Sequence, residues 1–357
     1  MSPPILFRFD ASEKIGIGHA MRCLPVIEQI KKYHVKVIVC AQHLPDYVSE
    51  KFKIIDVPVL YQQGDAGSLA DLQAVLAIVN NYEVSTVVLD GYFFKKLYRQ
   101  KLKENIANVV TFDDVNDIKE LYCDLVINAL VTANTLGYES SAAQAKHLIG
   151  LQYSIIRAEF LALSLTPLEE RKSLLVNFGG SDVHQLTLPV IKLLAQNKSL
   201  CESARIIVVT GGSCKNINDI SHTCEKHGFE HHHNTNEISR LMNQSALAIC
   251  APGGTVYELA YCQVPSILLT VADNQILSGQ AHQAADWCRV FDGTNSSVLP
   301  LVVSMVSELW KDKDKLEEMS KRASELIDGR GAERIAGQII KLNGNESRYI
   351  PIGGLDE

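Results

Sequence analysis

Short β-branched apolar runs alternate along the chain with longer stretches of helical period. Residues 5–9 form such a run, and in 19–32 the positions Met21, Leu24, Ile27, Glu28 and Ile30 give a mostly apolar helix face. Further strands are expected at 35–40, 53–57, 85–89, 108–112 and 124–128, with helices such as 69–80 and 95–104 between them. Strands at 173–177, 205–210, 246–250 and 266–270 follow, alternating with helices at 188–196, 217–227, 255–261 and 280–288. Near-continuous apolar strands joined by helical crossovers predict an α/β fold with mostly parallel sheets covered on both faces.

The pattern breaks at Thr166-Pro167, which opens a charged stretch through Lys172 before the apolar rhythm restarts. The expected layout is therefore an N-terminal Rossmann-like domain over 1–165 and a second over 166–328. A C-terminal helix over 329–343 and a polar tail over 344–357 complete it. Two such halves would leave a cleft between them. The length of 357 residues fits, because a single core rarely grows beyond about 250–300 residues.

Charge narrows the partners. Thirty-four Lys and Arg against 41 Asp and Glu leave a net −7, which argues against a general nucleic-acid binder. An anionic ligand would need local positive potential. No window reads as a signal peptide or membrane span, and the nine cysteines never form a C-x-x-C pair, so reduced thiols in a cytoplasmic protein are the simplest reading.

Glycine loops at strand ends carry the candidate chemistry. After the first strand, Asp10-Ala11-Ser12-Glu13-Lys14-Ile15-Gly16-Ile17-Gly18-His19 runs into a helix holding Arg22. It fails as a dinucleotide fingerprint, because Arg22 stands nearest to the third glycine's place and Gln42-His43 replaces the ribose acid. It does offer backbone N–H groups at a helix start, with His19 either a general base or simply a helix-terminal residue. The second half has Phe178-Gly179-Gly180-Ser181-Asp182, Thr210-Gly211-Gly212-Ser213 and Pro252-Gly253-Gly254-Thr255. Any one is readily a turn; three in one domain suggest close backbone approach to phosphate. Glu258, one turn into its helix, suits a ribose diol or merely complements the helix dipole. Asp273-Asn274-Gln275 suits hydrogen bonding to hydroxyl or acetamido groups, or a turn. The run His231-His232-His233 fits a strand better than a metal site, since adjacent strand residues point to opposite faces, and Asn236 is placed to cap the helix that follows.

Taken together, 7–12 with Gly16, Gly18, His19 and Arg22, then Phe112-Asp113-Asp114, 156–160, 178–182, Gly253-Gly254-Thr255 with Glu258, and 272–275 closely resemble the pseudaminic acid pathway hydrolases. Those enzymes act on UDP-2,4-diacetamido-2,4,6-trideoxy-β-L-altropyranose. The resemblance runs from about residue 5 to 332. It implies the GT-B architecture, two Rossmann-like domains with parallel sheets facing a cleft, and release of UDP with inversion at the anomeric carbon, without metal or other cofactor. It implies that Gly179, Gly180, Ser181, Gly253, Gly254, Thr255 and Glu258 hold UDP, and that Gly16, Gly18, Arg22, Tyr92, Asn274 and Gln275 contact the sugar side. His19 becomes the base for water, with Asp10 either orienting it or capping the loop through backbone N–H groups. The partner is then a small-molecule UDP-sugar, with no nucleic acid and no membrane span, in a monomer or weak oligomer. A GT-B transferase passing the sugar to an acceptor and a non-enzymatic sugar-nucleotide-binding protein are the alternatives.

Overall fold

The computed structural model describes residues 2–12 and 15–344, without the side chain of Asn274. The tail expected over 344–357 lies, from residue 345 on, outside the described residues. The chain divides into two dense units, one holding the residues up to Ile155 and those from Arg330 on, the other Ile156–Gly329.

The first unit is built on seven strands: β1 (Ile5–Arg8), β2 (Val37–Ala41), β3 (Val59–Tyr61), β4 (Thr86–Asp90), β5 (Asn108–Phe112), β6 (Leu125–Asn128) and β7 (Lys146–Ile149). They pair in parallel in the order β3-β2-β1-β4-β5-β6-β7. Side-chain alternation sends Ile5, Phe7 and Phe9 into one core with Cys23 and Ile27 of helix Gly18–Lys32 and Ile335 and Ile339 of helix Gly331–Leu342. It sends Leu6, Ile38 and Cys40 to the opposite face, against Leu72 and Val75 of Leu69–Tyr82 and Tyr98 and Leu102 of Lys96–Asn105. Burial on both faces is why these strands read as unbroken apolar runs.

The last helix is fastened to this sheet. Asn343 Oδ1 accepts hydrogen bonds from Ser85 Oγ and Thr86 Oγ1, each at 2.6 Å, and Asn343 Nδ2 donates to the Pro3 carbonyl at 2.9 Å. At its start, Gly331 leaves room for the Ser154 carbonyl; a Cβ there would stand 2.1 Å from that oxygen.

The second unit carries β8 (Ser173–Asn177), β9 (Arg205–Thr210), β10 (Glu230–His233), β11 (Ser245–Cys250), β12 (Ser266–Thr270) and β13 (Cys288–Asp292), parallel in the order β10-β9-β8-β11-β12-β13. Helices Thr187–Leu194 and Leu299–Lys311 close one face through Val190, Leu194, Val302 and Val306. In each sheet the strand order reverses beside the first strand, at β1/β4 and at β8/β11. Loops leaving those carboxyl ends part to opposite faces and open a crevice, so the topology itself selects where a ligand fits.

Three local expectations are corrected. Residues 53–57 do not form a strand: Asp46–Ile54 is a helix after Pro45, burying Val48 and Phe52 one turn apart, and the third strand comes only at Val59–Tyr61. The helix expected over 280–288 is Ile276–Ala284, and Cys288 begins a strand instead. Asn236 does not cap the helix Ile238–Asn243; the Thr235 hydroxyl accepts the Glu237 N–H at its start. Among the described residues no helix is long and apolar enough to cross a membrane.

Candidate active site

The β1/β4 crevice brings together residues 71 positions apart. His19 sits at the start of helix Gly18–Lys32, after a loop in which Ser12 and Gly16 exchange backbone hydrogen bonds and Gly16 takes a left-handed φ of +79°. Asp90 is the last residue of β4 and is fully buried. The His19 Nδ1–Asp90 Oδ1 distance is 2.6 Å. An ionised Asp90 only accepts, so Nδ1 carries the proton and the Nε2 lone pair is left available. No described residue hydrogen-bonds Nε2.

Arg22, one turn further along the helix, holds Asp90 from the other side. Its Nε donates to Oδ2 at 2.6 Å and its Nη2 to Oδ1 at 2.5 Å, while Nη1 donates to both oxygens of Asp114 at 2.8 and 2.9 Å. The guanidinium lies over the Phe112 ring, 5.1 Å from its centroid. Burial alone would raise the Asp90 pKa, but the Arg22 charge and the hydrogen bonds from Arg22 and His19 outweigh it and hold the carboxyl below its ordinary range. Arg22 is desolvated too, yet Asp90 and Asp114 push its pKa up. Tyr92 completes the group: its ring is edge-on to His19 at 5.2 Å, and its hydroxyl donates to Asp114 Oδ2 at 3.0 Å. Burial and the Asp114 charge push the phenol up to about 12, so it stays protonated at neutral pH. One cation and two carboxylates leave a single negative charge, which a proton arriving on His19 would neutralise. The arrangement suits an imidazole that takes up a proton.

Asp10 does not orient His19. Its Oδ1 accepts the backbone N–H groups of Gln42 and His43 at 2.5 and 3.0 Å, and its Oδ2 accepts from Arg8 Nη1 at 2.7 Å. Arg8 is itself fully buried and forked onto Asp71, so Asp10 belongs to a structural knot that ties the β1 and β2 ends together. The sequence signal for Asp90 was an acid closing an apolar strand, Thr86-Val87-Val88-Leu89-Asp90, at the ligand edge of a parallel sheet.

In the second unit the β8/β11 crevice gathers Gly179, Gly180 and Ser181 with Gly253, Gly254 and Thr255. Gly179 has a φ of +80°, and Gly179, Gly180, Gly253 and Gly254 have open space where a Cβ would stand. The Gly180 carbonyl accepts from Ser213 N at 3.1 Å, which packs the loop after β9 against the loop after β8. Helix Thr255–Tyr261 starts at Gly254 with no side-chain cap, leaving N–H donors for a ligand. Glu258 is forked onto Arg157, Oε1 to Nε at 2.5 Å and Oε2 to Nη2 at 3.0 Å. Burial nevertheless pushes the Glu258 pKa up, against the Arg157 hydrogen bond and charge. Sequence reading placed Arg157 in a motif without its partner. Gln275 turns its Oε1 back to accept Val271 N at 2.8 Å, so that oxygen shapes the turn; the Asn274 side chain lies outside the described residues. His231 and His233 both meet Thr210 Oγ1 while His232 meets Glu230 on the other side. Among the described residues no group of three His, Cys, Asp or Glu side chains is placed to hold a metal ion.

No family model matches the chain. It is 24% identical over 260 residues to the UDP-2,4-diacetamido-2,4,6-trideoxy-beta-L-altropyranose hydrolase of Campylobacter jejuni, covering 71% of this chain and 86% of that one. It is 25% identical over 288 residues, 79% of this chain, to a Helicobacter pylori protein named as both pseudaminic acid cytidylyltransferase and the same hydrolase. An uncharacterised Methanocaldococcus jannaschii protein, MJ1062, is 24% identical over 272 residues, 73% of this chain. The chain spans about half the length of the last two, 47% and 54%. Among solved structures, Acinetobacter baumannii MurG superposes with a TM-score of 0.69 at 13% identity, covering 95% of this chain and all of that one. The UDP-GlcNAc 2-epimerase of Neisseria meningitidis superposes with a TM-score of 0.68 at 12% identity, with the same coverage. The fold is therefore of the GT-B kind, two Rossmann-like parallel-sheet units.

Proposed function

We propose that the protein hydrolyses UDP-2,4-diacetamido-2,4,6-trideoxy-β-L-altropyranose to UDP and free sugar, with inversion at the anomeric carbon. The coarser part, an enzyme acting on UDP-sugars, is supported by the names of the Campylobacter and Helicobacter relatives. The observation that carries the hydrolytic step is the His19–Asp90 pair, which leaves Nε2 unengaged by any described residue. A water oxygen attacks the anomeric carbon opposite the nucleotide, His19 Nε2 takes its proton, and the bond from carbon to the β-phosphate oxygen breaks with its electron pair leaving on UDP. One displacement inverts the centre. UDP is a stable anion, so the second carboxylic acid that glycosidases use to protonate a sugar alkoxide is not required.

The second unit holds the nucleotide in this reading. The open faces of Gly179, Gly180, Gly253 and Gly254 let a pyrophosphate approach closely, and the backbone N–H groups of Gly180, Gly254 and Thr255 with the hydroxyls of Ser181 and Thr255 are the donors assigned to the charge that grows as UDP departs. Glu258, kept in place by Arg157, accepts from the ribose. Gly16, Gly18, Arg22, Tyr92, Asn274 and Gln275 are the residues this reading assigns to the sugar. A positioned base gives about 10²–10⁴-fold, so alignment of water and the anomeric carbon supplies much of the remainder.

The test is incubation with the UDP-linked diacetamido sugar in metal-free buffer, following UDP and the anomeric proton by NMR. Inverted free sugar supports the proposal. Release of UDP only when an acceptor is added assigns a transferase instead, and binding without turnover under either condition assigns a binding protein.

A further inference from the structure

The second unit has a cavity of about 450 Å³ at the edge where β8 and β11 begin, opposite the glycine loops. That volume falls within the range of about 300–1,000 Å³ usual for small-molecule pockets. Its wall combines the Trp310 indole and Leu316 with four cations, Arg171, Lys172, Lys311 and Lys313. Arg171 is the unusual one. It is only 6% exposed, yet its acceptors are neutral: Nε donates to the Thr166 carbonyl at 2.7 Å, and Nη1 to the carbonyls of Cys262 and Ser245 at 2.8 and 3.3 Å.

Buried charges are ordinarily paired, because desolvation costs several kcal/mol per ion. Among the described residues no carboxylate pairs with Arg171, and its Nη2 has no protein partner. Tying three backbone segments together explains Nε and Nη1 but not why a full charge is kept there. None of the three lysines forms an ion pair among the described residues either. Glu169 and Glu317 share the wall, so four cations meet two acids, a local excess of positive charge in a chain of net −7.

We propose that this cavity binds a small aromatic anion, its ring body against Trp310 and Leu316 and its carboxylate, sulfonate or phosphate beside Arg171 and the lysines. This site is separate from the candidate nucleotide loops and does not depend on the activity assigned above. The probe is 8-anilinonaphthalene-1-sulfonate, titrated by calorimetry into the full-length protein with and without saturating UDP.

Saturable one-to-one binding is expected, unchanged by UDP. It weakens at least tenfold in the Lys311→Glu/Lys313→Glu double variant and is lost in Ser203→Trp, which plugs the mouth from an exposed position. 1-Naphthylmethanol, which keeps the ring without the charge, should bind at least tenfold more weakly than the sulfonate. Circular dichroism checks that both variants fold. Displacement by UDP, non-saturating binding at several sites, or equal affinity in the wild type and both folded variants would each overturn the proposal.

Discussion

Asp90→Asn is the sharpest probe of the His19 arrangement, because it keeps the shape and changes only what the group accepts. The carboxylate now receives three strong donors: His19 Nδ1 and Arg22 Nη2 on Oδ1, and Arg22 Nε on Oδ2. An amide has one acceptor oxygen. If that oxygen faces Oδ1's partners, the new NH₂ meets the Arg22 Nε–H, donor against donor. If the amide turns over, the NH₂ faces both Arg22 Nη2 and His19 Nδ1, and the imidazole answers by moving its proton to Nε2. The base is then lost. In either orientation the cluster has also lost the negative charge that stabilises a protonated His19. Losing a positioned general base costs about 10²–10⁴ in rate, or about 3–5 kcal/mol of transition-state stabilisation. The assay is initial-rate UDP release by Asp90→Asn, with UDP affinity measured by calorimetry as a control. The expected result is a fall in kcat of at least about 100-fold with UDP affinity within about twofold. Turnover within a few-fold of wild type, with a folded protein, would refute the claim that Asp90 sets the tautomer of His19.

The remaining predictions concern neighbouring links. His19→Ala should keep UDP binding while kcat falls about 10²–10⁴-fold, read in the same two assays. His282 is 1% exposed, packs edge-on to Trp287 at 5.7 Å, and has neither ring nitrogen hydrogen-bonded among the described residues; burial lowers its pKa to about 4. The unfolded chain therefore binds a proton that the fold refuses, and stability should fall by about 3 kcal/mol as pH drops from about 6.5 to about 4. His282→Phe should remove that slope, seen as a smaller Tm change over this pH window, and an unchanged slope would count against it. Gly331→Ala forces a methyl group within 2.1 Å of the Ser154 carbonyl oxygen, so the first unit should lose about 2–4 kcal/mol in urea unfolding.

Much of the architecture is legible in the amino-acid sequence. The strands at 108–112, 173–177, 205–210 and 266–270 coincide with those observed, because a strand buried on both faces carries consecutive apolar residues through its middle and stands out from its flanking turns. Helices 217–227 and 255–261 were equally clear from their period. Edge elements were not. Residues 53–57 carry two isoleucines and a valine and look strand-like, yet Ile54 is 75% exposed at the end of a helix whose burial rests on Val48 and Phe52. The partly exposed strand Lys146–Ile149 mixes polar and apolar residues and gives little signal.

The candidate site divides the same way. Sequence alone determined that His19 and Arg22 share a helix start after a glycine loop, since their spacing and the helical period are local properties. It also determined that paired glycines end several strands of the second half. Which carboxylate serves His19 was decided only by tertiary structure. Asp10 is closer in sequence, but its oxygens are claimed by Arg8 and the backbone of the neighbouring strand end. Asp90 is 71 residues away and arrives because β4 lies beside β1 where the strand order reverses. Local sequence fixes which groups a loop can offer; the order in which strands assemble, a property of the whole sheet, fixes which of them meet.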